Sequence, residues 1–399
     1  MKILQVTNKV PYPAKDGGAI ACMNLTRGFA MLGHEVTVLA MNTAKHNVDI
    51  EDIPESVKDW AEFILVDVPA RISSLSAAVN LFFSGKPYNA VRFISEPFAR
   101  KLKNLLQNNE FDIVQLEGLY VCPYIPVVRK YSNAKIVYRA HNIENEIWER
   151  TAQLSKGLKK LYIKILAKRI RSFEKGFIDH YDLLVPITER DSIILKKMGN
   201  TRPVYVSPTG IDTKSLIPHS KKLEHPSLFH IGSLEWGPNQ EGLIWFIDRC
   251  WPKIHDRFPD LRFYIAGRRA PEWLIKKFNE PNIVYMGEIS DAYEFMNSKS
   301  IMIVPLFSGS GMRIKIIEGM ALGKPIVTTP IGTEGISTMS GKNILIADNE
   351  NEFLRDIERL ITDTDLFKMI GTNAIEYIQQ KFDNLALAGG LIGFYKTHN

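Results

Sequence analysis

Short runs rich in Ile, Val, Leu and Phe, separated by longer segments with helical spacing, constrain this chain more than any other feature. In the first half they are Ile3–Thr7, Glu35–Ala40, Phe63–Val66, Ile113–Leu116, Ile136–Ala140 and Leu183–Ile187. In the second half they are Leu228–Ile231, Phe263–Ala266, Ile283–Met286, Ile301–Leu306, Ile326–Thr329 and Ile344–Ala347. Runs that are apolar on both faces and alternate with helices are the pattern of a mostly parallel sheet covered on both sides, an α/β fold. At 399 residues the chain exceeds one ordinary core. It is read as two doubly wound, Rossmann-like units, 1–207 and 208–379, facing each other across a cleft that is the default ligand site. A C-terminal helix over 380–399 is expected to cross back to the first unit. Ser207–Asp212 and the polar run up to Pro226 read as the linker.

Composition narrows the function by exclusion. Cys22, Cys122 and Cys250 have neither metal-like nor paired spacing, so they read as small buried hydrophobes in a reducing compartment. Met1–Asn8 is too short and interrupted for a secretory signal and reads as a first buried strand. The apolar run Leu75–Phe83 is far below the roughly 20 residues that span a bilayer, and a cytoplasmic protein is expected. The formal charge of +6 suits polyphosphate ligands, anionic lipid or nucleic acid equally, but no nucleic-acid module signature accompanies it, so no nucleic-acid partner is expected. Asp363-Thr-Asp365 mimics a metal-binding pair but precedes a helical pattern, where Asp is a helix cap. No metal site and no organic cofactor is expected.

The most informative segment is Ser308–Glu318, where a strand runs into two glycines and then a helical pattern. Gly309 and Gly311 allow a tight turn and close backbone approach, and the helix start offers amides suited to phosphate. Arg313 and Lys315 add two full charges. Lys315 and Glu318, three residues apart, share one helix face and suit a ligand with phosphates beside ribose hydroxyls. Ser310 and Met312 complete the lining. The plainer reading is an ordinary connection with a surface ion pair. A second glycine-bearing loop, Pro330–Ile336, follows the next strand and opens on the same sheet edge, the edge where parallel sheets bind ligands.

In the first half, Gly17-Gly18 stands where the first strand leads into a helix over 19–32, either for close approach of a donor phosphate or acceptor or as a flexible turn. No Gly-x-Gly-x-x-Gly follows that strand, which disfavours nicotinamide and flavin chemistry. His141-Asn-Ile-Glu144 follows a buried strand, so His141 is a candidate donor to a sugar hydroxyl or a developing phosphate charge. Residues 156–175 form a cationic amphipathic helix with Leu158, Leu161, Tyr162, Ile165, Leu166, Ile170 and Phe173 at helical spacing. It is either a solvated face of a helix packed on its own domain or a surface for peripheral contact with the inner face of an anionic membrane that carries a lipid-linked acceptor.

With these residues in hand, the chain resembles the group 1 (family 4) retaining glycosyltransferases of GT-B architecture. The carriers are Gly17-Gly18, His141–Glu144, Pro208–Asp212, Gly232–Gly242 and Gly309–Thr329. In that family two Glu residues separated by seven others contact the donor sugar and the ribose. Glu318 matches the second, and Ser310 stands at the first. The family's Gly-Arg and following Lys, which clamp the diphosphate, are replaced here by Gly232-Ser233 and Asn239. The resemblance therefore implies that Arg313 and Lys315 take over the clamp, as a Gly-x-Gly-x-Arg-x-Lys variant. It assigns His141, Arg313 and Lys315 to catalysis, and Gly17, Gly18, Gly232, Gly309, Ser310, Gly311, Met312 and Glu318 to the donor.

The implied activity is metal-independent transfer, with retention, of a sugar from a nucleoside diphosphate sugar to the hydroxyl of a sugar or lipid-linked acceptor. Bacterial surface polysaccharide or glycolipid assembly is the expected setting. The alternatives are a nucleotide-sugar epimerase of the same architecture and a nucleotide-sugar-binding protein that has lost catalysis.

Overall fold

A computed structural model describes residues 1–218, 223–309 and 311–398. The chain divides into two compact units, 1–210 with 384–399, and 211–383. Part of the sequence-predicted linker, 219–222, lies outside the described residues.

Unit 1 holds a parallel sheet of β1 (Lys2–Thr7), β2 (Glu35–Asn42), β3 (Glu62–Asp67), β4 (Ile113–Glu117), β5 (Lys135–Ala140) and β6 (Leu183–Pro186), in the order β3-β2-β1-β4-β5-β6. Unit 2 repeats the plan with β7 (Glu224–Ile231), β8 (Phe263–Ala266), β9 (Ile283–Gly287), β10 (Lys299–Val304), β11 (Ile326–Thr328) and β12 (Leu345–Ile346), in the order β12-β11-β10-β7-β8-β9. Each apolar run named from the sequence coincides with a strand, and the central ones are buried on both faces, as a sheet covered by helices requires.

Both orders reverse direction once, between β1 and β4 and between β7 and β10. At such a switch point the connections leave the sheet in opposite directions and open a crevice outside the carboxyl ends of the strands. In unit 1, Thr7 at the end of β1 pairs with Glu117 at the end of β4. In unit 2, β7 ends at Ile231, directly before Gly232, and β10 ends at Val304, separated from Ser308 by three residues.

Seven helices matter for the sites. They are α1 (Gly17–Met31), α2 (Ser74–Phe83), α3 (Glu144–Leu154), α4 (Gly157–Phe177), α5 (Gly237–Trp245), α6 (Ile314–Ala321) and α7 (Asn384–His398). Helix α1 begins two residues earlier than its glycines suggested, because Asp16 accepts from the Ala19 amide and caps it. Helix α7 packs on α1 in unit 1 and buries Ala388, Leu391, Ile392 and Tyr395. The three cysteines are buried, and Asp363 caps the helix Thr364–Lys381 by accepting from the Leu366 amide at 2.9 Å. Helix α4 differs from its sequence reading. Ile163, Leu166, Ala167 and Ile170 face the core, whereas Leu158 and Leu161 are exposed, since a stripe of 158, 161 and 165 lies on a different side from 163, 166 and 170.

Candidate active site

In unit 2 the cationic site is assembled from both sides of the switch point. Lys315, in the first turn of α6, donates from Nζ to Asn239 Oδ1 on α5 at 2.8 Å. Its second neighbour is His230 on β7, whose Nε2 is 3.4 Å away. His230 Nδ1 donates to the Ile303 carbonyl on β10 at 2.8 Å, which leaves Nε2 as an acceptor. Burial and the adjacent ammonium hold this imidazole well below its usual range, so it stays neutral. Asn239 is itself fixed, since its Nδ2 donates to the Ser233 carbonyl at 2.8 Å. A Cβ on Gly232 would lie 2.9 Å from Asn239 Nδ2 and 3.2 Å from Lys315 Nζ, so only glycine fits beside this pair. Burial, with the charge of Arg313 next in weight, pushes the Lys315 ammonium down to about 7.

Arg313 is the residue before α6 and is buried. It donates from Nη1 to the Gly311 carbonyl, and its guanidinium carbon lies 5.5 Å from the centre of the Trp236 ring. Gly309, at φ 106°, completes this stack: a Cβ there would meet the Trp236 ring at 2.9 Å and Arg313 Nη2 at 3.1 Å. Gly311 also takes a positive φ, of 79°. Both turns therefore require glycine. Met312 is buried, and Ser310 lies outside the described residues.

Glu318, one turn beyond Lys315, accepts from the Tyr293 hydroxyl at 2.9 Å. Burial pushes its carboxyl up to about 7, with the Tyr293 hydrogen bond opposing. Lys315 and Glu318 thus have separate partners and stand as two grips one turn apart, one cationic and one carboxylic.

In unit 1 a cavity of about 370 Å³ lies at the switch point, lined among others by Lys9, Asp16, Gly18, Glu117, His141 and Glu144. His141 meets Glu117 through Nε2, at 2.6 Å from Oε2. The carboxylate accepts, so Nδ1 is the ring nitrogen left for a substrate hydroxyl. Burial raises the Glu117 carboxyl, but Arg139, at 3.5 Å, and His141 outweigh it and hold the carboxyl below its usual range. Gln5 and Gln115 donate to the other oxygen. Glu144 has the opposite character. Burial pushes it up to about 7, against the hydroxyl of Tyr120, which donates to it at 2.8 Å. Two carboxyls of different proton affinity in one cavity are suited to proton handling near neutral pH.

The structure therefore brings Gly232, Gly309, Gly311, Met312, Arg313, Lys315 and Glu318 together in unit 2, and Gly18 with His141 in unit 1. Gly17 opens α1 next to Gly18, and nothing lies within 4 Å of where its Cβ would be. Sequence reasoning missed Glu117, Arg139, His230, Trp236 and Tyr293, and named Asn239 only as the residue at the clamp lysine's position. A signal existed for three of them. Glu117, Arg139 and His230 are ionisable residues at buried positions near the carboxyl ends of parallel strands, where an ionisable side chain is rare unless paired.

Two parallel sheets of one strand order, each with its polar site at the switch point, define a two-domain α/β protein of the GT-B class. The chain belongs to glycosyltransferase family 4: the profile described as Glycosyltransferase Family 4 matches residues 15–215, and that described as Glycosyl transferases group 1 matches 225–363. A 44.6 kDa protein of the cps region of Klebsiella pneumoniae is 24% identical over 96% of this chain and 97% of its own. CapM, a capsular polysaccharide biosynthesis glycosyltransferase of Staphylococcus aureus, is 27% identical over 29% of this chain and 31% of its own. Among solved structures, Anabaena HepE in complex with UDP matches with a TM-score of 0.73 at 13% identity, covering all of both chains. Sucrose-phosphate synthase of Thermosynechococcus elongatus matches with a TM-score of 0.76 at 14% identity, over 100% of this chain and 99% of its own. At these identities the structural matches speak for the fold.

Proposed function

We propose that this glycosyltransferase moves a sugar, with retention, from a nucleoside diphosphate sugar to an acceptor hydroxyl in the assembly of a bacterial surface polysaccharide. The observation that carries the reading is the Lys315 ammonium held between Gly232 and Asn239, one turn from Glu318 and next to Arg313. Asn239 is the position where the family's clamp lysine would stand, and the ammonium that reaches it comes instead from α6. Support for the setting comes from the cps-region and capsular relatives, and support for the donor class from the HepE complexes with UDP and UDP-glucose.

In this reading the diphosphate lies against the start of α6, where Arg313, Lys315 and the helix amides face it, and Glu318 accepts from the ribose. The bond from the anomeric carbon to the phosphate oxygen breaks as negative charge grows on the leaving diphosphate. Fixed cations that meet this charge lower the barrier because they are already oriented. The acceptor oxygen bonds to the anomeric carbon and its proton passes to the departing phosphate. His141, fixed by Glu117, hydrogen-bonds a substrate hydroxyl through Nδ1. The side-chain cations supply the charge stabilisation, so turnover is expected to persist in a chelator.

The test is turnover by Lys315→Ala. Release of nucleoside diphosphate in the presence of acceptor should fall more through kcat than through a rise in donor KM, by about 3 kcal/mol, roughly 150-fold. Unchanged kcat would remove Lys315 from the mechanism. Product formed without acceptor would favour an epimerase, and donor binding with no turnover would favour a binding protein.

A further inference from the structure

Helix α2 is ten residues long, Ser-Leu-Ser-Ala-Ala-Val-Asn-Leu-Phe-Phe, and none of them is buried. Leu75, Val79, Phe82 and Phe83 follow one another at i, i+4, i+7 and i+8, the spacing of a single helical stripe, and that stripe faces out. Leu75 is 76% exposed, Phe82 78% and Phe83 87%, and Ile72 just before the helix is exposed as well. Scattered apolar side chains on a surface are ordinary, but a continuous stripe ending in two phenylalanines marks a surface that something covers.

The helix is held in place by polar contacts at its ends. Ser73 caps its start, accepting from the Ser76 amide, and the Ser73 amide donates to Tyr88 Oη at 2.9 Å. At the other end Arg169 of α4 donates to the carbonyls of Asn80 at 3.1 Å and Leu81 at 2.7 Å, a cation at the negative end of the helix dipole. On α4, Leu158, Leu161, Ile165 and Arg169 are spaced by three and four residues, so they lie along one side. The residue that grips α2 therefore stands at one end of a stripe whose other end carries the exposed Leu158 and Leu161. Lys160, Lys164 and Lys168 repeat every four residues on the neighbouring side, where they line a groove of about 410 Å³ with Glu149, Ala152 and Gln153.

From this apolar face with a line of lysines beside it we infer that α2 and the first half of α4 dock this protein on the surface of an anionic phospholipid bilayer. The α2 stripe enters the acyl boundary, and Lys160, Lys164 and Lys168 meet the headgroup phosphates. Charge complementarity selects this occupant, because a second copy of the chain would bring the same lysines against each other. The inference rests on unit 1 alone and holds whether or not unit 2 binds a nucleotide.

The experiment is flotation of the full chain with vesicles of phosphatidylcholine containing about a third phosphatidylglycerol, against pure phosphatidylcholine. The chain should float with the anionic vesicles and far less with the neutral ones. Phe82→Ser with Phe83→Ser should weaken this by about a hundredfold, from the loss of two inserted side chains. Lys160→Gln with Lys164→Gln and Lys168→Gln should weaken it by roughly fivefold per lysine and steepen nothing with neutral lipid. Phe82, Phe83, Lys164 and Lys168 are exposed and Lys160 is half-buried, so both variants should stay close to the wild-type thermal midpoint. No flotation of the wild type, or equal flotation of all three proteins, overturns the proposal. So does a lipid-free dimer in sedimentation that the phenylalanine variant abolishes, which would assign the face to a second copy.

Discussion

Lys315 and Glu318 set the electrostatics of the proposed donor site, and their environments move them in opposite directions. Burial lowers the ammonium to about 7 and raises the carboxyl to about 7. A diphosphate needs the charged lysine, so capture weakens as pH rises through that value. Ribose hydroxyls need the carboxylate as acceptor, so capture also weakens as pH falls through it. The donor kcat/KM, which reports the free enzyme, should therefore peak narrowly near neutral pH. Lys315→Arg keeps a charge that cannot be titrated and should lose the alkaline limb. Glu318→Gln should lose the acidic limb at a lower overall level. A wild-type profile flat from about pH 6 to 8 would separate both residues from donor capture.

At the level of elements, glycines divide into those the fold needs and those it leaves to the ligand. A Cβ on Gly242 would lie 1.6 Å from the Pro305 carbonyl oxygen, so α5 rests directly on the chain leaving β10. Gly242→Ala should cost about 2–3 kcal/mol and lower the unfolding midpoint by several degrees in calorimetry. Gly17 has open space around it, so Gly17→Ala should leave the midpoint within about 0.5 kcal/mol of wild type. Lost activity in that variant would then reflect close approach of a ligand to α1. The strands were legible because strand burial on two faces writes itself into contiguous β-branched runs, and the loop at Gly309–Glu318 because glycine and charge are rare together at a helix start. The partners that orient the site were not. Asn239 and Lys315 are 76 residues apart and meet only across the β7–β10 switch point, while Glu117 at the end of β4 reaches His141, just past β5, only through the pairing of those two strands. The exposure of α2 and of Leu158 was also illegible, since helical spacing states that a stripe exists and leaves open whether anything covers it.

At the scale of the whole molecule, the chain returns to unit 1 only in its last helix. Tyr395 on α7 donates to Gln115 Oε1 at 2.5 Å, and Gln115 in turn donates to Glu117, which holds His141. The final helix thus completes both the core and the polar network beneath the unit 1 cavity. Removing 384–399 exposes what Ala388, Leu391, Ile392 and Tyr395 bury, at about 1.5–3 kcal/mol for each large side chain. That sum approaches the whole stability of an ordinary domain. A chain ending at Asp383 should show unit 1 digested in limited proteolysis while unit 2 stays protected, and equal protection of both would contradict this packing account. The central claim concerns unit 2, where Lys315, Arg313 and Glu318 are held to bind a nucleoside diphosphate. Its most direct measurement is the thermal shift of the wild type and of Lys315→Ala with UDP, GDP, ADP, CMP and dTDP. Ligand at about a hundredfold over its Kd adds about 2.7 kcal/mol, so one nucleotide should raise the wild-type midpoint by several degrees and raise that of Lys315→Ala by less. No shift with any nucleotide in the folded wild type, or an equal shift in both proteins, would contradict the site.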